Sequence, residues 1–523
     1  MKLVKSILTV SGFTVLSRIS GFVRDILIAS IMGAGPVADA FYVAFRLPNF
    51  CRRLFAEGAF NAAFVPTFTR VLNQQGKAQA HIYAEQILTI LTLSLLVLVI
   101  VVEIAIPWLM FIIAPGFKAT PERLELVIYF TRITFPYILC VSLVALLTAI
   151  LNCFSRFTAG AAIPILLNIV MIIFIAAFTT WFETPGHALS WAVACAGILQ
   201  LGVAIFVTRR IRFGLKFRRP ELSEPVRRLL RLMLPASLAA GVIQVNMLIG
   251  ITFLSFLPSG AVSYFFYADR LNQLPLSLVA VAVSTALLPT LSQKLALKHT
   301  ESALSIQNRC LEFSFFLILP ATLALLILSE PMITVLFERG AFGRTEVEET
   351  AKVLSVFALG LPAYVMVKIL STSFFARHDT KTPLYAAIIA VVANILLNIA
   401  LLGPLKHVGI ALATSLASWL NAGWLAYKLD QKQFFELDNR LRERIPRFIM
   451  GCLVMGLFLD LGARHSHDQL HSFELKRILI LSALIIAGLI IYFITVHILR
   501  GINLRELKQD FKSEALAESA IKQ

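Results

Sequence analysis

Charged residues are scarce in this sequence. Asp, Glu, Lys and Arg together make up 15% of the 523 residues, whereas hydrophobic residues make up 58%. A soluble domain has about 25% charged residues, so this shortage excludes a large soluble protein. Apolar runs of about 18 residues or more recur along the chain, and each is long enough to cross the hydrocarbon core of a bilayer. The composition therefore predicts a polytopic membrane protein.

Catalytic and cofactor motifs are also missing. The sequence has no Walker A loop, nucleophile elbow, HExxH motif or glycine-rich dinucleotide turn. Histidines within residues 463–471 could bind a metal, but an ordinary solvated loop is favoured. The cysteines lack the paired spacing of a disulfide framework or a zinc site; they are Cys51, Cys140, Cys153, Cys195, Cys310 and Cys452. We therefore predict no cofactor, no metal and no ATP-driven pump.

Hydropathy divides the chain into fourteen candidate membrane helices. Their approximate ranges are 7–31, 38–60, 84–113, 124–151, 158–181, 188–208, 232–257, 262–291, 310–329, 350–374, 383–403, 407–427, 446–462 and 475–499. The first has the basic start of a signal peptide, but Arg18, Arg24 and Asp25 follow and no small-residue cleavage site closes it. We interpret it as a retained span, and we predict an all-α integral membrane protein.

Acidic residues are few, with 30 Asp and Glu against 47 Lys and Arg. Most of the basic residues lie on the side of the N-terminus, so the positive-inside rule places both termini in the cytoplasm. The densest basic run, residues 209–231, favours contact with anionic lipid over contact with nucleic acid. Membrane lipids are therefore predicted partners and nucleic acid is not. Residues 500–523 are predicted to form a short cytoplasmic tail at the membrane surface.

Short sequence blocks recur at a nearly constant spacing. FYVAFRLP resembles FFYADRLN, and IPWLMFIIAPGF resembles EPMITVLFERGAF. Together with these two, five matches occur in the same order along the chain. They pair Arg46 with Arg270, Pro66 with Pro289, Gly116 with Gly340, Arg156 with Arg377, and His187 with His407. Ordered matches at one spacing predict an internal duplication.

The duplication predicts the domain organisation. Residues 1–208 would form a six-helix lobe, 209–231 a basic cytoplasmic linker, 232–427 a second six-helix lobe, and 428–499 two additional helices. Because six is an even number, both copies enter the membrane from the same side and form a parallel repeat. Two such lobes around a central cavity are typical of secondary transporters. A channel and an integral-membrane transferase are the rival classes.

Charged residues recur inside the predicted spans of both copies. Arg18 and Asp25 are seven residues apart and share a face of the first helix, with Arg24 on an adjacent face. Asp269 and Arg270 lie in the eighth helix, at the position equivalent to the charged part of the second. A guanidinium at the bilayer centre costs about 2.5–3.5 kcal/mol on insertion scales. Such side chains therefore predict a wet cavity rather than a lipid-facing surface.

The second helix has the highest density of charge. Asp39, Arg53 and Glu57 lie within about 80° of arc at 100° per residue, whereas Pro48 should kink the helix and re-aim Arg52. Arg53 and Glu57 are close to the inward end of this helix, and two explanations remain for them. Either they form internal ion pairs and the arginine extends to the lipid headgroups, or they line the cavity. For Arg52 the cavity is favoured.

Arginine in a cavity indicates the chemistry of the ligand. Guanidinium forks match phosphate oxygens with two parallel hydrogen bonds, so several arginines suit a diphosphate. The predicted substrate-binding residues are Arg18, Arg24, Arg52 and Arg270. The residues predicted to form gates or to orient these arginines are Asp25, Asp39, Arg53, Glu57 and Asp269.

Two stretches carry a family resemblance. They are SRISGFVRDILIASIMGAGPVADAFYVAFRLPNFCRRLFAEGAFNAAFVPTFTR, residues 17–70, and YADRLNQLPLSLVAVAVSTALLPTLS, residues 267–292. Both resemble the MurJ (MviN) family of bacterial lipid II flippases, and the likeness extends over essentially the whole chain. The resemblance implies the fold of the multidrug/oligosaccharidyl-lipid/polysaccharide exporter superfamily, with two six-helix lobes, a cationic cavity, and helices 13 and 14 forming a groove for a polyprenyl tail.

The resemblance also implies a function. The substrate would be lipid II, an undecaprenyl-diphosphate-linked disaccharide pentapeptide, moved from the cytoplasmic to the periplasmic leaflet of the bacterial inner membrane by alternating access. The family places the diphosphate on the four arginines predicted above and gives Asp25 and Asp39 orienting or gating roles. Cell-wall synthesis proteins would be further partners, and the chain would be a transporter and not an enzyme.

Two alternatives stay open from the residues alone. A related antiporter of cationic drugs would need an acidic cavity, which the arginines oppose. A glycosyl or phosphoglycosyl transferase acting on the same lipid would cleave the diphosphate and depend on a divalent metal. Leaflet exchange of intact labelled lipid distinguishes transport from both.

Overall fold

The computed structural model describes residues 2–53, 59–221, 223–297, 299–466 and 474–501. Within these ranges the chain is helical, with one isolated bridge between Arg339 and Phe342. Nine of the described helices are long and apolar enough to cross a membrane. The all-α membrane class is therefore confirmed, whereas the number fourteen stays a prediction. Glu57, the later part of the 463–471 loop and the tail from 502 onward lie outside the described residues.

The described chain forms two compact units, of which the first comprises Met1–Tyr267 and Phe337–Glu346. Its helices are α1 (Lys2–Met32), α2 (Pro36–Cys51), α3 (Ala59–Ile113), α4 (Pro121–Thr134), α5 (Tyr137–Cys153), α6 (Phe157–Ile173), α7 (Pro185–Arg210), α8 (Glu224–Ser255) and the start of α9 (Ala261–Ala296). These boundaries differ from the predicted lobes, which stay a prediction.

Proline and glycine explain most helix boundaries in the first unit. Pro36 and Pro121 stand in the first turns of α2 and α4, where a missing N–H costs nothing. α3 bends at Gly76, whose φ of +83° is left-handed. The predicted span 124–151 is divided into α4 and α5 at Pro136, where the ring cannot donate to the preceding turn.

Aromatic residues hold the centre of the first unit together. Phe60, Phe64 and Phe68 follow one face of α3 and stack at centroid distances of 5.1 and 5.4 Å. Phe213, from the segment after α7, packs edge-on against Phe68 at 6.0 Å. These buried rings connect α3 to α5 and to the chain that leaves α7.

The basic linker begins with an ordered segment, residues 211–221, which we call the strap. It extends along α3, where Glu85 accepts from the Lys216 backbone N–H at 3.1 Å and Thr89 accepts from the Arg218 N–H at 3.0 Å. Gln86 Nε2 donates to Glu221 at 3.2 Å. Because its backbone is bound, the strap presents most of its basic side chains outward.

The second unit comprises Ala268–Leu336 and Val347–Gln523. Besides the rest of α9, its helices are α10 (Thr300–Ile327), α11 (Ser329–Phe337), α12 (Arg344–Ala358), α13 (Leu361–Ala376), α14 (Lys381–Gln431), α15 (Asn439–His465) and α16 (Glu474–Ile498). α14 contains two of the predicted spans, and it bends at Lys406, whose φ is +48°.

The last two helices form a pair that packs on α10. Phe316, Phe448 and Tyr492 lie in one apolar cluster, and the Tyr492 hydroxyl donates to the Phe316 carbonyl at 2.9 Å. Near the start of α15, Glu312 of α10 accepts from Arg309, Arg440 and Arg444. The carboxylate balances buried cationic charge where these helices meet.

Helices in both units end in the same left-handed turn. Ser155 and His378 have φ of +59° and +60°, and Arg212 and Gln433 both have +56°. In each case the next N–H donates to a carbonyl five residues earlier, as Arg156 does to Leu151. Ser155 and His378 are 223 residues apart, and Arg212 and Gln433 are 221 residues apart. These nearly equal spacings support the predicted duplication. They align Arg156 with Asp379 rather than with Arg377.

Asp379 gives the structure a pH-dependent contact outside the spans. Burial opposes its ionisation, but hydrogen bonds from Lys432 and from the Thr382 N–H and hydroxyl outweigh burial and lower the pKa to about 2. A pKa below the ordinary 3.8 stabilises the fold fully above about pH 4, and this contribution is lost as the pH falls towards 2. Asp379→Asn is therefore expected to lower the unfolding temperature at pH 5 and to have a much smaller effect at pH 2, where about half of the carboxyl groups are protonated. Asp430→Asn, on an exposed residue nearby, should show no such pH dependence; an equal shift at both pH values would contradict the assignment.

Candidate functional site

Arg24 and Asp25 form a buried ion pair on α1. Arg24 is 6% exposed and Asp25 is 3% exposed. The Arg24 Nε and Nη2 atoms donate to Asp25 Oδ1 at 3.0 and 2.6 Å. The third nitrogen, Nη1, donates to Asn168 Oδ1 at 2.8 Å. All three guanidinium nitrogens thus have acceptors in this conformation.

Asn168 of α6 connects this pair to the preceding turns on the same face of α1. Its amide nitrogen donates to the Ser17 carbonyl at 3.0 Å and to the Ser20 hydroxyl at 3.1 Å. Gly21 packs directly against Asn168, since a Cβ there would lie 3.4 Å from the amide nitrogen. The guanidinium of Arg24 is therefore held by side chains from two packed helices. The sequence indicated Asp25 as an orienting acid but gave no sign of Asn168.

The other predicted residues of the first unit are less buried. Arg18 is exposed on α1, and Arg52 and Arg53 are half-buried after α2. Arg52 Nε donates to Asn49 Oδ1 at 3.3 Å. Arg18, Arg52 and Arg53 all have further electrostatic or hydrogen-bonding partners. Glu57, predicted to lie near Arg53, is outside the described residues.

Asp269 and Arg270 belong to the second unit. Both are half-buried on α9, and Asp269 accepts from Gln273 Nε2 at 2.5 Å. Arg270 is also partnered. The meeting of Arg270 with the arginines of the first unit in one cavity stays a prediction.

Asp39 accepts four hydrogen bonds within a buried polar cluster of the first unit. It is fully buried on α2. Its Oδ1 accepts from the Ser263 N–H at 2.9 Å and from the Ser263 hydroxyl at 2.6 Å. Its Oδ2 accepts from the Gly260 N–H at 2.8 Å and from Arg123 at 3.0 Å. Asp39 thereby caps the positive N-terminal end of α9 and pairs with a cation of α4.

Arg123 was not predicted as a site residue. It is 6% exposed, its guanidinium carbon lies 4.1 Å from the centroid of the Phe117 ring, and Nη1 donates to the Leu257 carbonyl at 3.4 Å. A signal was present in the sequence, because Arg123 lies on the same helical stripe as the buried Val127 and Phe130. A charge on an apolar stripe requires a buried partner.

The aromatic neighbours of Asp39 continue this cluster. The rings of Tyr42 and Phe266 stack with a centroid distance of 3.8 Å. The Tyr267 hydroxyl donates to the Gly33 carbonyl at 3.0 Å, and the Tyr267 ring packs edge-on against Phe342. The start of α9 is thus fixed to α2, to the turn after α1 and to the segment Phe337–Glu346.

The sequence matches the family described as "Lipid II flippase MurJ" over residues 28–481. It is 40% identical to the probable lipid II flippase MurJ of Rhizobium meliloti, covering 99% of this chain and 98% of that protein. The chain belongs to the MurJ family. It is also 33% identical to the lipid II flippase MurJ of Burkholderia cenocepacia, over 94% of this chain and 96% of that one.

Solved structures agree with the family assignment. A structure of lipid II flippase MurJ in an inward closed conformation aligns with a TM-score of 0.77 and 28% identity, over 94% of this chain and 98% of that one. An inward-facing multidrug resistance transporter of the MATE family aligns with a TM-score of 0.62 at 15% identity, over 82% of this chain and 98% of that one. The second likeness shows the shared fold alone.

Proposed function

We propose that this protein moves lipid II from the cytoplasmic to the periplasmic leaflet of a bacterial inner membrane. The observation that carries the proposal is the membership in the MurJ family, with relatives that match end to end and are named lipid II flippases. Lipid II supplies peptidoglycan synthesis, so proteins of cell-wall synthesis would be its further partners. The chain acts as a transporter and not as an enzyme.

The diphosphate of lipid II is held by Arg18, Arg24, Arg52 and Arg270. The contacts of Arg24 support this role, because Asn168 and Asp25 fix its guanidinium before any ligand binds. A preorganised fork loses little side-chain entropy on binding a phosphate group. A ligand oxyanion would replace Asn168 as the acceptor for Nη1. Asp25 keeps the guanidinium in place during this exchange.

Transport follows alternating access between a cytoplasmic-open and a periplasmic-open state. By the predicted orientation, the Asp39 cluster lies at the periplasmic end, where it joins α2, α4 and the start of α9. Breaking these bonds opens that end and releases the headgroup. An interior-negative potential assists the outward step by about 2.3 kcal/mol per charge per 100 mV, hence about 5 kcal/mol for a diphosphate carrying two charges.

The polyprenyl tail remains outside the cavity, along α15 and α16. This pair has large apolar side chains on its surface, among them Leu453, Leu457, Leu461 and Ile490, each more than half exposed. An acyl chain too long for a polar cavity packs on such a surface without crossing the membrane with the headgroup. These exposed apolar side chains support the groove that the sequence resemblance implies.

Leaflet exchange in liposomes tests the proposal. Fluorescent lipid II is incorporated with purified protein, and the fraction accessible to a quencher outside is followed with time. We expect exchange with the unmodified protein and loss of exchange in Arg52→Ala and Arg270→Ala, because each removes a fork from the diphosphate. Arg209→Ala, on an exposed arginine at the end of α7, is the matched control and should keep full activity.

The same experiment separates the rival functions. Recovery of intact lipid II after exchange supports transport, whereas cleavage of its diphosphate with a divalent metal supports a transferase. Exchange that proceeds equally well in both arginine variants would contradict the role of these side chains. Uptake of a cationic drug in place of lipid II would favour an antiporter.

A further inference from the structure

Equivalent positions of the two predicted copies contact each other in the first unit. Asp39 and Ser263 are 224 residues apart and hydrogen bond directly. Tyr42 and Phe266, which stack at 3.8 Å, have the same spacing of 224. A residue can contact its own counterpart only near the axis that relates two copies by a two-fold rotation. The start of α9 and the start of α2 therefore meet close to such an axis.

Two glycines make a pair of crossed contacts around the same axis. The Gly116 N–H donates to the Ser255 hydroxyl at 3.0 Å, at the end of α8. Gly340, 224 residues later, lies against Ser30 near the end of α1, where the Ala341 N–H donates to the Ser30 carbonyl at 2.7 Å. Ser30 and Ser255 are themselves 225 residues apart. The loop of each copy thus contacts the first helix of the other.

Neither contact leaves room for a side chain. A Cβ on Gly116 would lie closer than 3.0 Å to the backbone of Ser255 and Phe256. A Cβ on Gly340 would lie equally close to the Ser30 carbonyl oxygen, and Gly340 also has a left-handed φ of +56°. Since the obstructing atoms belong to backbone, rotation of a neighbouring side chain cannot relieve either overlap.

We propose that Gly116 and Gly340 are positioning residues that act as a coupled pair to close this end of the transporter. The inference rests on the proposed function, in which this end must close before lipid II is taken up from the cytoplasm. Two contacts related by a rotation axis form and break in the same movement. A methyl group at either glycine therefore prevents both contacts from forming, although the two glycines belong to different loops.

A disulfide at one contact can report on a substitution at the other. Ser30→Cys with Ala341→Cys places two thiols at the Gly340 contact, and oxidation in detergent is followed by mass spectrometry of the linked peptide. We expect cross-linking in the protein that carries only this cysteine pair. Adding Gly116→Ala should lower the extent of cross-linking about tenfold, which is the change in an equilibrium constant that overpacking of ordinary size produces. Gly35→Ala and Gly250→Ala are matched controls, because a Cβ at either position has nothing within 4 Å.

The outcomes separate the possible explanations. If Gly116→Ala elutes as a folded monomer and cross-links at the parental rate, the two contacts are independent and the proposal is wrong. The cysteine pair alone gives a second test that needs no glycine variant: oxidation should stop leaflet exchange of lipid II, and reduction should restore it. Full exchange in the oxidised protein would also overturn the proposal. Cross-linking requires no lipid II, so absence of exchange in the unmodified protein would refute the proposed function and leave the coupling intact.

Discussion

Replacing Arg24 by alanine is expected to slow the leaflet exchange of lipid II by about a hundredfold or more, the cost of losing a charge-assisted fork to a buried anion. Arg24 differs from the other predicted arginines because it is buried, and its nitrogens lie 2.6 Å from Asp25 and 2.8 Å from Asn168. Exchange in liposomes with labelled lipid II measures the effect directly.

Loss of folding is the main competing explanation for this result, because Arg24→Ala leaves the Asp25 carboxylate without the guanidinium that neutralises it. The double variant Arg24→Ala with Asp25→Asn removes that carboxylate charge. We expect it to recover the unfolding temperature and to remain inactive. If the double variant regained exchange, Arg24 would have a structural role alone. Arg24→Lys, which keeps the charge but not the planar fork, should retain a part of the activity.

Asp39→Ala should have the largest effect on stability among the single substitutions considered. It removes the acceptor for Arg123 and for two backbone N–H groups, those of Gly260 and Ser263. Breaking a buried ion pair from one side costs about 3–5 kcal/mol, because the remaining charge stays buried. We expect a lower unfolding temperature in detergent and easier labelling of Ala261→Cys, which is 3% exposed.

A double-mutant cycle with Arg123→Met tests this assignment. If the pair is the source of the effect, the double variant should be more stable than the sum of the single losses predicts. Asp39→Asn, which keeps one acceptor oxygen and so serves only one of the two N–H groups, should fall between the parent and Asp39→Ala. Strictly additive losses would show that Asp39 and Arg123 act independently.

The positions of the helices could be predicted from hydropathy because lipid-facing and buried residues are both apolar in a membrane protein. The boundaries were less certain. α2, which corresponds to the predicted second span 38–60, ends at Cys51, and residues 54–58 lie outside the described part of the chain. Conversely, the part of α3 that precedes the predicted span 84–113 was not predicted, because its polar residues obscure the aromatic face formed by Phe60, Phe64 and Phe68.

The site could be predicted only as far as charge within spans reveals it. Arg24 and Asp25 stand out in an apolar helix, and the structure brings them together. Asn168 does not stand out, since a single amide in α6 has many structural uses, and its partners on α1 are over 140 residues away. The contacts of Gly116 and Gly340 could not be predicted either. A close approach of two backbone segments requires a glycine, but a glycine in the sequence does not indicate which segment approaches it.

The strap holds the N-terminal end of α8 against α3. Its backbone is tied to α3 as far as Arg218, and Gln86 also accepts from the Ser223 hydroxyl, one residue before α8 begins. α8 has 32 residues, hence a length of about 48 Å at 1.5 Å per residue. With its first turn held as a pivot, a tilt of about 10° would swing its far end by about 8 Å. So modest an inclination would carry Ser255 clear of Gly116, because a small rotation at the strap is multiplied over the length of the helix.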